Sequence, residues 1–198
     1  NVHIPGGTPH QPLINSGTVL VQNLQIDANA TLTVAAATLQ VSGSLNNQGG
    51  LDVKTGTLEL NGTAPQTVTS SSNVPVKNLL VSNTNSTGVT LAGHVDVYTA
   101  VNFSAGGTKL NAGDGNLTIK STVAQTAMVG DLTGHDITGN VTVERYINTI
   151  GHGKSWEFLA IPTKGQTVKQ SWMENGITTS TGYGTNVNDI SGTANGFD

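Results

Sequence analysis

The sequence predicts an all-β protein: a right-handed parallel β-helix (β-solenoid) of about seven coils over residues 1–145, then a small β domain over residues 146–198. Three observations support this fold class. Short apolar–polar–apolar segments recur about every 20 residues, helical periodicity is missing over the first 145 residues, and the composition changes after Arg145.

The repeat consists of four-residue segments in which the second and fourth residues are apolar and the third is not fixed. The six copies are Thr38–Val41, Thr57–Leu60, Asn78–Val81, His94–Val97, Asn116–Ile119 and Asn140–Val143. Their second residues lie 19, 21, 16, 22 and 24 positions apart, which is too far for two-residue hairpins and typical of solenoid coils. We predict that these second residues stack in one interior row: Leu39, Leu58, Leu79, Val95, Leu117 and Val141.

Shorter strands fit between the repeats. Val19–Val21, Thr31–Val34 and Val89–Leu91 alternate in the same way and are separated by corners rich in Gly, Asn and Ser. No window of 11 residues keeps a helical apolar stripe free of Gly or β-branched runs. An antiparallel sandwich is the alternative architecture, and the repeat period favours the solenoid.

The composition shifts at residue 145. Six aromatic residues occur in the last 53 positions, namely Tyr146, Trp156, Phe158, Trp172, Tyr183 and Phe197, against only Tyr98 and Phe103 earlier. Large rings suit a conventional core, so we place a domain boundary here, with a strand at Ser155–Ala160 and a strand or short helix at Thr167–Met173. Gly192–Asp198 offers no closing strand, and we expect this second unit to be incomplete.

Motifs along the chain carry a resemblance to a protein class. They are Val76–Val81, Gly115–Ile119, Val143–Ile147, Trp156–Pro162, Trp172–Gly176, Gly182–Thr185 and Asn195–Asp198. In this order they resemble passages in large, repetitive, secreted surface proteins of Bacteroidetes, many of them cargo of the type IX secretion route and adhesin-like. The resemblance implies a secreted or cell-surface location and a chain that is a piece of a longer modular protein.

Composition excludes several function classes. Only 10% of residues are charged, the net charge is −4, and the lysines are scattered singly along the sequence, so no footprint for nucleic acid appears. Cysteine is absent, which excludes disulfides, thiolate metal sites and thiol nucleophiles. No apolar run is long enough to span a membrane as a helix.

The turn at Gly130–Asp136 is where acidic residues and a histidine gather. Asp131, His135 and Asp136 could converge on a metal ion or a sugar substrate, but carboxylates in such turns more often bind their own backbone. His3, His10, His94 and His152 lack ligand-like spacing, and we interpret them as solvated. We therefore predict no catalytic residue, no metal site and no cofactor.

Arg145, the only arginine, has two interpretations. In the structural one it closes the last coil, bonding backbone carbonyls or an acid of the following segment, with Trp156 or Phe158 packed on that coil. In the functional one it binds an acidic sugar. The structural interpretation is favoured because no second cation stands beside it in the sequence.

Two further binding hypotheses concern surfaces. Outward Thr residues could match an ice lattice, but ionisable residues such as Glu59, His94 and Asp96 interrupt the expected face. Trp156, Trp172 and Tyr183 could stack on sugar rings, although core packing of these rings is the favoured interpretation.

The sequence as a whole favours a structural segment of a secreted or cell-surface protein, acting as a stalk or adhesin-like module, and not an enzyme. Its expected partners are other modules of a longer protein, with glycans or neighbouring copies as alternatives. The competing hypothesis is a carbohydrate-active protein that uses Asp131 and Asp136, or a carbohydrate-binding module that uses the Trp-rich end.

Overall fold

The computed structural model describes residues 1–104, 106–146 and 165, and it confirms the predicted fold class. The described part contains fifteen strands and no helix. Every ladder between these strands is parallel, and the chain winds through about six turns. The described part of the chain is therefore a parallel β-solenoid, not an antiparallel sandwich.

The strands follow one another with short corners between them. They are β1 (Val2–Ile4), β2 (Leu13–Ile14), β3 (Thr18–Val21), β4 (Leu24–Ile26), β5 (Thr31–Val34), β6 (Thr38–Val41), β7 (Leu45–Asn47), β8 (Gly50–Leu60), β9 (Gln66–Ser70), β10 (Val74–Val81), β11 (Val89–Ala92), β12 (Val95–Phe103), β13 (Lys109–Ile119), β14 (Met128–Val129) and β15 (Asp136–Val143).

Each coil has three sides, which follow from the pairing of the strands. Face 1 consists of β1, β4, β7, β9, β11 and the first parts of β13 and β15. Face 2 consists of β2, β5, the first parts of β8, β10 and β12, and the second parts of β13 and β15. Face 3 consists of β3, β6, the second parts of β8, β10 and β12, and β14. The long strands thus turn a corner within their length.

Alternation along the strands sends every second side chain into the coil. On face 3 the inward residues form a column across successive coils: Val19, Leu39, Leu58, Leu79, Val101 and Val129. Leu39, Leu58 and Leu79 in its middle are fully buried. Each coil therefore buries its aliphatic side chains against the coils above and below, as the repeat predicts.

The prediction of a single interior row is wrong at Val95. The Cα partners of Val95 are Val74 and Leu117 on face 2, and Leu117 in turn pairs with Val141, whereas the partner of Leu79 in that coil is Val101. The predicted row is thus two columns on two faces. Strands on both faces carry the same alternation of apolar and polar residues, so the spacing of the repeats does not show on which face a strand lies.

Polar side chains inside the solenoid satisfy one another at a corner. Gln66, which is buried, donates from Nε2 to the carbonyl oxygen of Val41 at 2.7 Å and accepts at Oε1 from Nδ2 of Asn83 at 3.1 Å. Asn83 also donates to the carbonyl of Ala64 at 3.0 Å. These bonds offset the cost of burying two amide groups among aliphatic side chains.

The strands described here, together with Tyr146, belong to one compact unit, Asn1–Asn148. The expected β domain over 146–198 falls almost wholly outside the described residues, as do its predicted segments Ser155–Ala160 and Thr167–Met173. No helix in the described part is long and apolar enough to cross a membrane.

Candidate functional site

The turn before β15 holds the acidic residues that the sequence singles out. The carboxylate of Asp131 accepts a hydrogen bond from the backbone N–H of Thr133 at 2.8 Å, and it lies in an exposed turn. Hydrogen bonds from the side chain and backbone of Thr133 lower the pKa of Asp131 below its ordinary value of 3.8, with a smaller contribution from His135. The carboxylate therefore binds its own turn, as the structural interpretation expects.

The side chain of His135 and the backbone of Asp136 make contacts with other residues. The His135 ring stacks on Phe103 with ring centroids 5.1 Å apart, and its Nδ1 is buried without a hydrogen-bond partner. Asp136 begins β15, where its Cα partner is Lys109. In the ranges 1–104 and 106–146, and at 165, no three His, Asp or Glu side chains come together in a way that could hold a metal ion.

A polar cluster that sequence reasoning missed lies on the outer side of face 2. Asp96 points outward from β12 yet is only 8% exposed, because His94, Asn73 and Thr118 surround it. His94 Nε2 lies 3.2 Å from Asp96 Oδ1 and 2.9 Å from Thr118 Oγ1. The expectation that His94 is merely solvated is wrong, since its side chain is two-thirds buried.

The geometry of this cluster does not match a Thr–His–Asp triad. A catalytic histidine links its nucleophile and its acid through two different ring nitrogens. Here the hydroxyl of Thr118 and the carboxylate of Asp96 both contact Nε2 of His94. The arrangement joins two neighbouring coils and provides no relay for a proton.

The last described coil carries an ion pair between Lys120 and Glu144. Glu144 Oε2 also accepts from the backbone N–H of Ser121 at 3.2 Å. The hydrogen bond that Lys120 donates to Glu144 raises the pKa of Lys120 above its ordinary 10.5, against a smaller opposing effect of burial. Arg145 donates from a guanidinium nitrogen to the carbonyl oxygen of Glu144 at 2.7 Å, which is one of the two bonds expected for it.

The cationic side chains gather at the corner between faces 2 and 3. Five Lys and Arg residues occur in the described ranges, and four of them lie there: Lys54, Lys77, Lys120 and Arg145, but not Lys109. Lys54, Lys77 and Lys120 each follow directly after an inward Val or Ile of the same column. The lysines are scattered in the sequence but aligned in the fold.

The outward rows are also distributed differently from expectation. Thr38, Thr57 and Asn78 pair in one row on face 3, while Thr31 and Asp96 belong to face 2. The single outward face considered for ice binding is therefore two faces. Trp156, Trp172 and Tyr183, the candidates for sugar stacking, lie outside the described residues.

Comparison of the chain with known protein families, with curated proteins and with solved structures finds no match.

Proposed function

We propose that the chain is a structural segment of a secreted or cell-surface protein, a stalk or adhesin-like module that spaces or presents other modules. The observation that carries this proposal is the unbroken stacking of aliphatic columns through the coils, with Leu39, Leu58 and Leu79 in direct register. Each coil adds about 4.8 Å along the stacking direction, so the coils extend one axis by roughly 30 Å.

The state of the candidate catalytic acid supports a structural role. The Asp131 carboxylate binds the backbone of its own turn, and an engaged, low-pKa carboxylate is poorly suited to donate a proton to a leaving group. The secreted location follows from the resemblance to surface proteins, and it is tested by protease shaving of intact source cells followed by detection of solenoid peptides.

An activity assay distinguishes the proposed structural role from the alternative of a carbohydrate-active enzyme. We expect no cleavage of polygalacturonate or of neutral glucans, with or without Ca²⁺, when reducing ends and unsaturated products are measured. Product formation that disappears in Asp131→Asn or Asp136→Asn would replace the proposal with a carbohydrate-active enzyme.

A distance measurement tests whether the solenoid is rigid enough to act as a spacer. The chain has no cysteine, so spin labels can be attached at introduced Cys residues without background. Thr18 and Met128 are exposed and lie in one outward column of face 3, five strand steps apart. Labels at these sites should be about 24 Å apart, and labels at Thr38 and Met128 about 19 Å apart.

Both distance distributions should be narrow, and their centres should differ by about one coil spacing, roughly 5 Å. Broad distributions, or centres that do not differ, would contradict the spacer function.

A further inference from the structure

We propose that the corner between faces 2 and 3 is a binding site for an acidic polysaccharide, which goes beyond the structural role proposed above. The site, called here the corner patch, consists of Lys54, Thr57, Lys77, Asn78 and Tyr98. These residues come from three successive coils and are brought together by the parallel register of β8, β10 and β12.

The register places the charged residues of the corner patch in one column. Val53, Val76 and Val97 are Cα partners on adjacent strands, and Lys54, Lys77 and Tyr98 are the residues that follow them. Lys54, Lys77 and Tyr98 therefore lie along a line at the corner, with their Cα atoms one coil spacing, about 4.8 Å, apart. A ligand that binds along this line must be extended.

The two ammonium groups are available to an anion. In the part of the chain that the structure describes, the salt bridges are His3–Asp27, His94–Asp96 and Lys120–Glu144, and none involves Lys54 or Lys77. Lys54 and Lys77 are both exposed. The carboxylate of nearby Asp52 accepts a hydrogen bond from the backbone N–H of Lys54 at 2.9 Å, and it forms no salt bridge with the Lys54 ammonium group.

Tyr98 positions one of these cations. The Lys54 Nζ lies 4.9 Å from the centroid of the Tyr98 ring, a cation–π distance. The contact draws the flexible Lys54 side chain along the column, past the coil of Lys77. It lowers the entropy that Lys54 loses when it binds an anion, because the side chain is already held at the corner.

Neutral hydrogen-bonding groups stand beside the cations. Thr57 and Asn78 are Cα partners that point outward from face 3 next to the corner, and both are partly exposed. Hydroxyl and amide groups in this position suit the hydroxyl groups of a sugar chain. A polysaccharide with a carboxylate on its sugars offers both anions for the lysines and hydroxyls for this pair.

Other anionic polymers fit the corner patch less well. A peptide strand binds by pairing with an exposed sheet edge, whereas the corner patch lies on the side of three strands already paired to neighbours. Single-stranded nucleic acid is bound by several aromatic platforms and dense positive charge, and the corner patch has one ring and two free cations.

The experiment measures binding of polygalacturonate to the full chain by isothermal titration calorimetry or biolayer interferometry. Wild-type protein should bind, more weakly as NaCl rises, and should not bind neutral dextran. The double variant Lys54→Gln/Lys77→Gln should bind roughly tenfold more weakly, because it removes both charged contacts of the corner patch. A retained melting temperature checks that this surface variant is folded.

Lys109→Gln is the matched control, because Lys109 is an exposed lysine on face 1 whose Cα partner is Asp136. It should keep the wild-type affinity. Weakening by Lys109→Gln in proportion to the single charge that it removes would mean that only total charge matters, and it would overturn the proposal. Absence of wild-type binding, or equally tight binding of poly-glutamate or single-stranded DNA, would also overturn it. Binding without cleavage leaves the structural role intact, so the two proposals fail separately.

Discussion

The middle coils and the last described coil place the same residue types in the same column but bury them to different extents. Leu58 and Leu79 on face 3 are completely buried, whereas Val129, the last residue of their column, is 38% exposed and its neighbour Met128 is 64% exposed. Ile137, Val141 and Val143 of β15 are likewise only partly buried. In the described part of the chain, the apolar side chains of the middle coils are thus shielded from solvent, and those of the last coil are partly exposed to it.

The difference shows where the stability of a solenoid comes from. A coil cannot bury its apolar side chains within itself, so each side chain depends on the coils above and below. In the middle, amides such as Gln66 and Asn83 can be buried because neighbouring coils supply their partners. Between the last two described coils, the partly buried Lys120–Glu144 pair forms instead near the surface.

The largest expected effect tests burial directly. Leu58→Ala should lower the free energy of unfolding by about 2–5 kcal/mol, because it leaves a cavity between two coils. Val129→Ala should cost about 1 kcal/mol or less, since that side chain is already in contact with water. Urea unfolding followed by circular dichroism measures both. If both variants lose the same free energy of unfolding, Leu58 is not more deeply buried than Val129, and the register does not describe the core.

A second variant tests the buried amides. Gln66→Leu removes the partners of the Val41 carbonyl and of Asn83 inside the solenoid, so it should cost about 1–3 kcal/mol. Gln48→Leu is the control, because Gln48 is exposed and its amide bonds only Asn46; it should change stability by about 0.5 kcal/mol or less. If both changes cost the same in urea unfolding, the buried network does not contribute.

The ion pair of the last coil should give a smaller and pH-dependent effect. The pKa of Lys120 is raised in the folded protein, so its contribution is present below pH 10.5 and is lost as the pH rises through the higher folded value. Lys120→Met should cost about 0.2–1 kcal/mol at neutral pH and less in strong alkali. Lys77→Met, which removes an exposed lysine without an acid partner in the described residues, is the control. Melting temperatures that fall equally for both variants at every pH would contradict the pairing.

The smallest expected effect lies in the turn before β15. The pKa of Asp131 is lowered by its hydrogen bonds to Thr133, so its contribution is present above pH 3.8 and is lost as the pH falls through the lower folded value. The melting temperature of wild type should therefore fall slightly more than that of Asp131→Asn between about pH 5 and about pH 2. A larger fall for the variant would show that the carboxylate does not stabilise the turn.

The sequence by itself determined the coils. Period-2 alternation is a local property, so the inward positions of Leu39, Leu58 and Leu79 could be predicted, as could the parallel stacking that a spacing near 20 residues requires. The same spacing placed Val95 in the wrong column. Successive strands on different faces carry one pattern, and only the pairing between coils shows which strand lies above which.

The surface groupings were decided by the tertiary structure. Lys54, Lys77 and Tyr98 lie more than 20 residues apart in sequence, and no local signal joins them, but each follows an inward residue of one column. His94 and Thr118 meet for the same reason. A solenoid brings residues together once per coil, and the lengths of its corners, which the hydrophobic pattern does not encode, determine which side chains come into register.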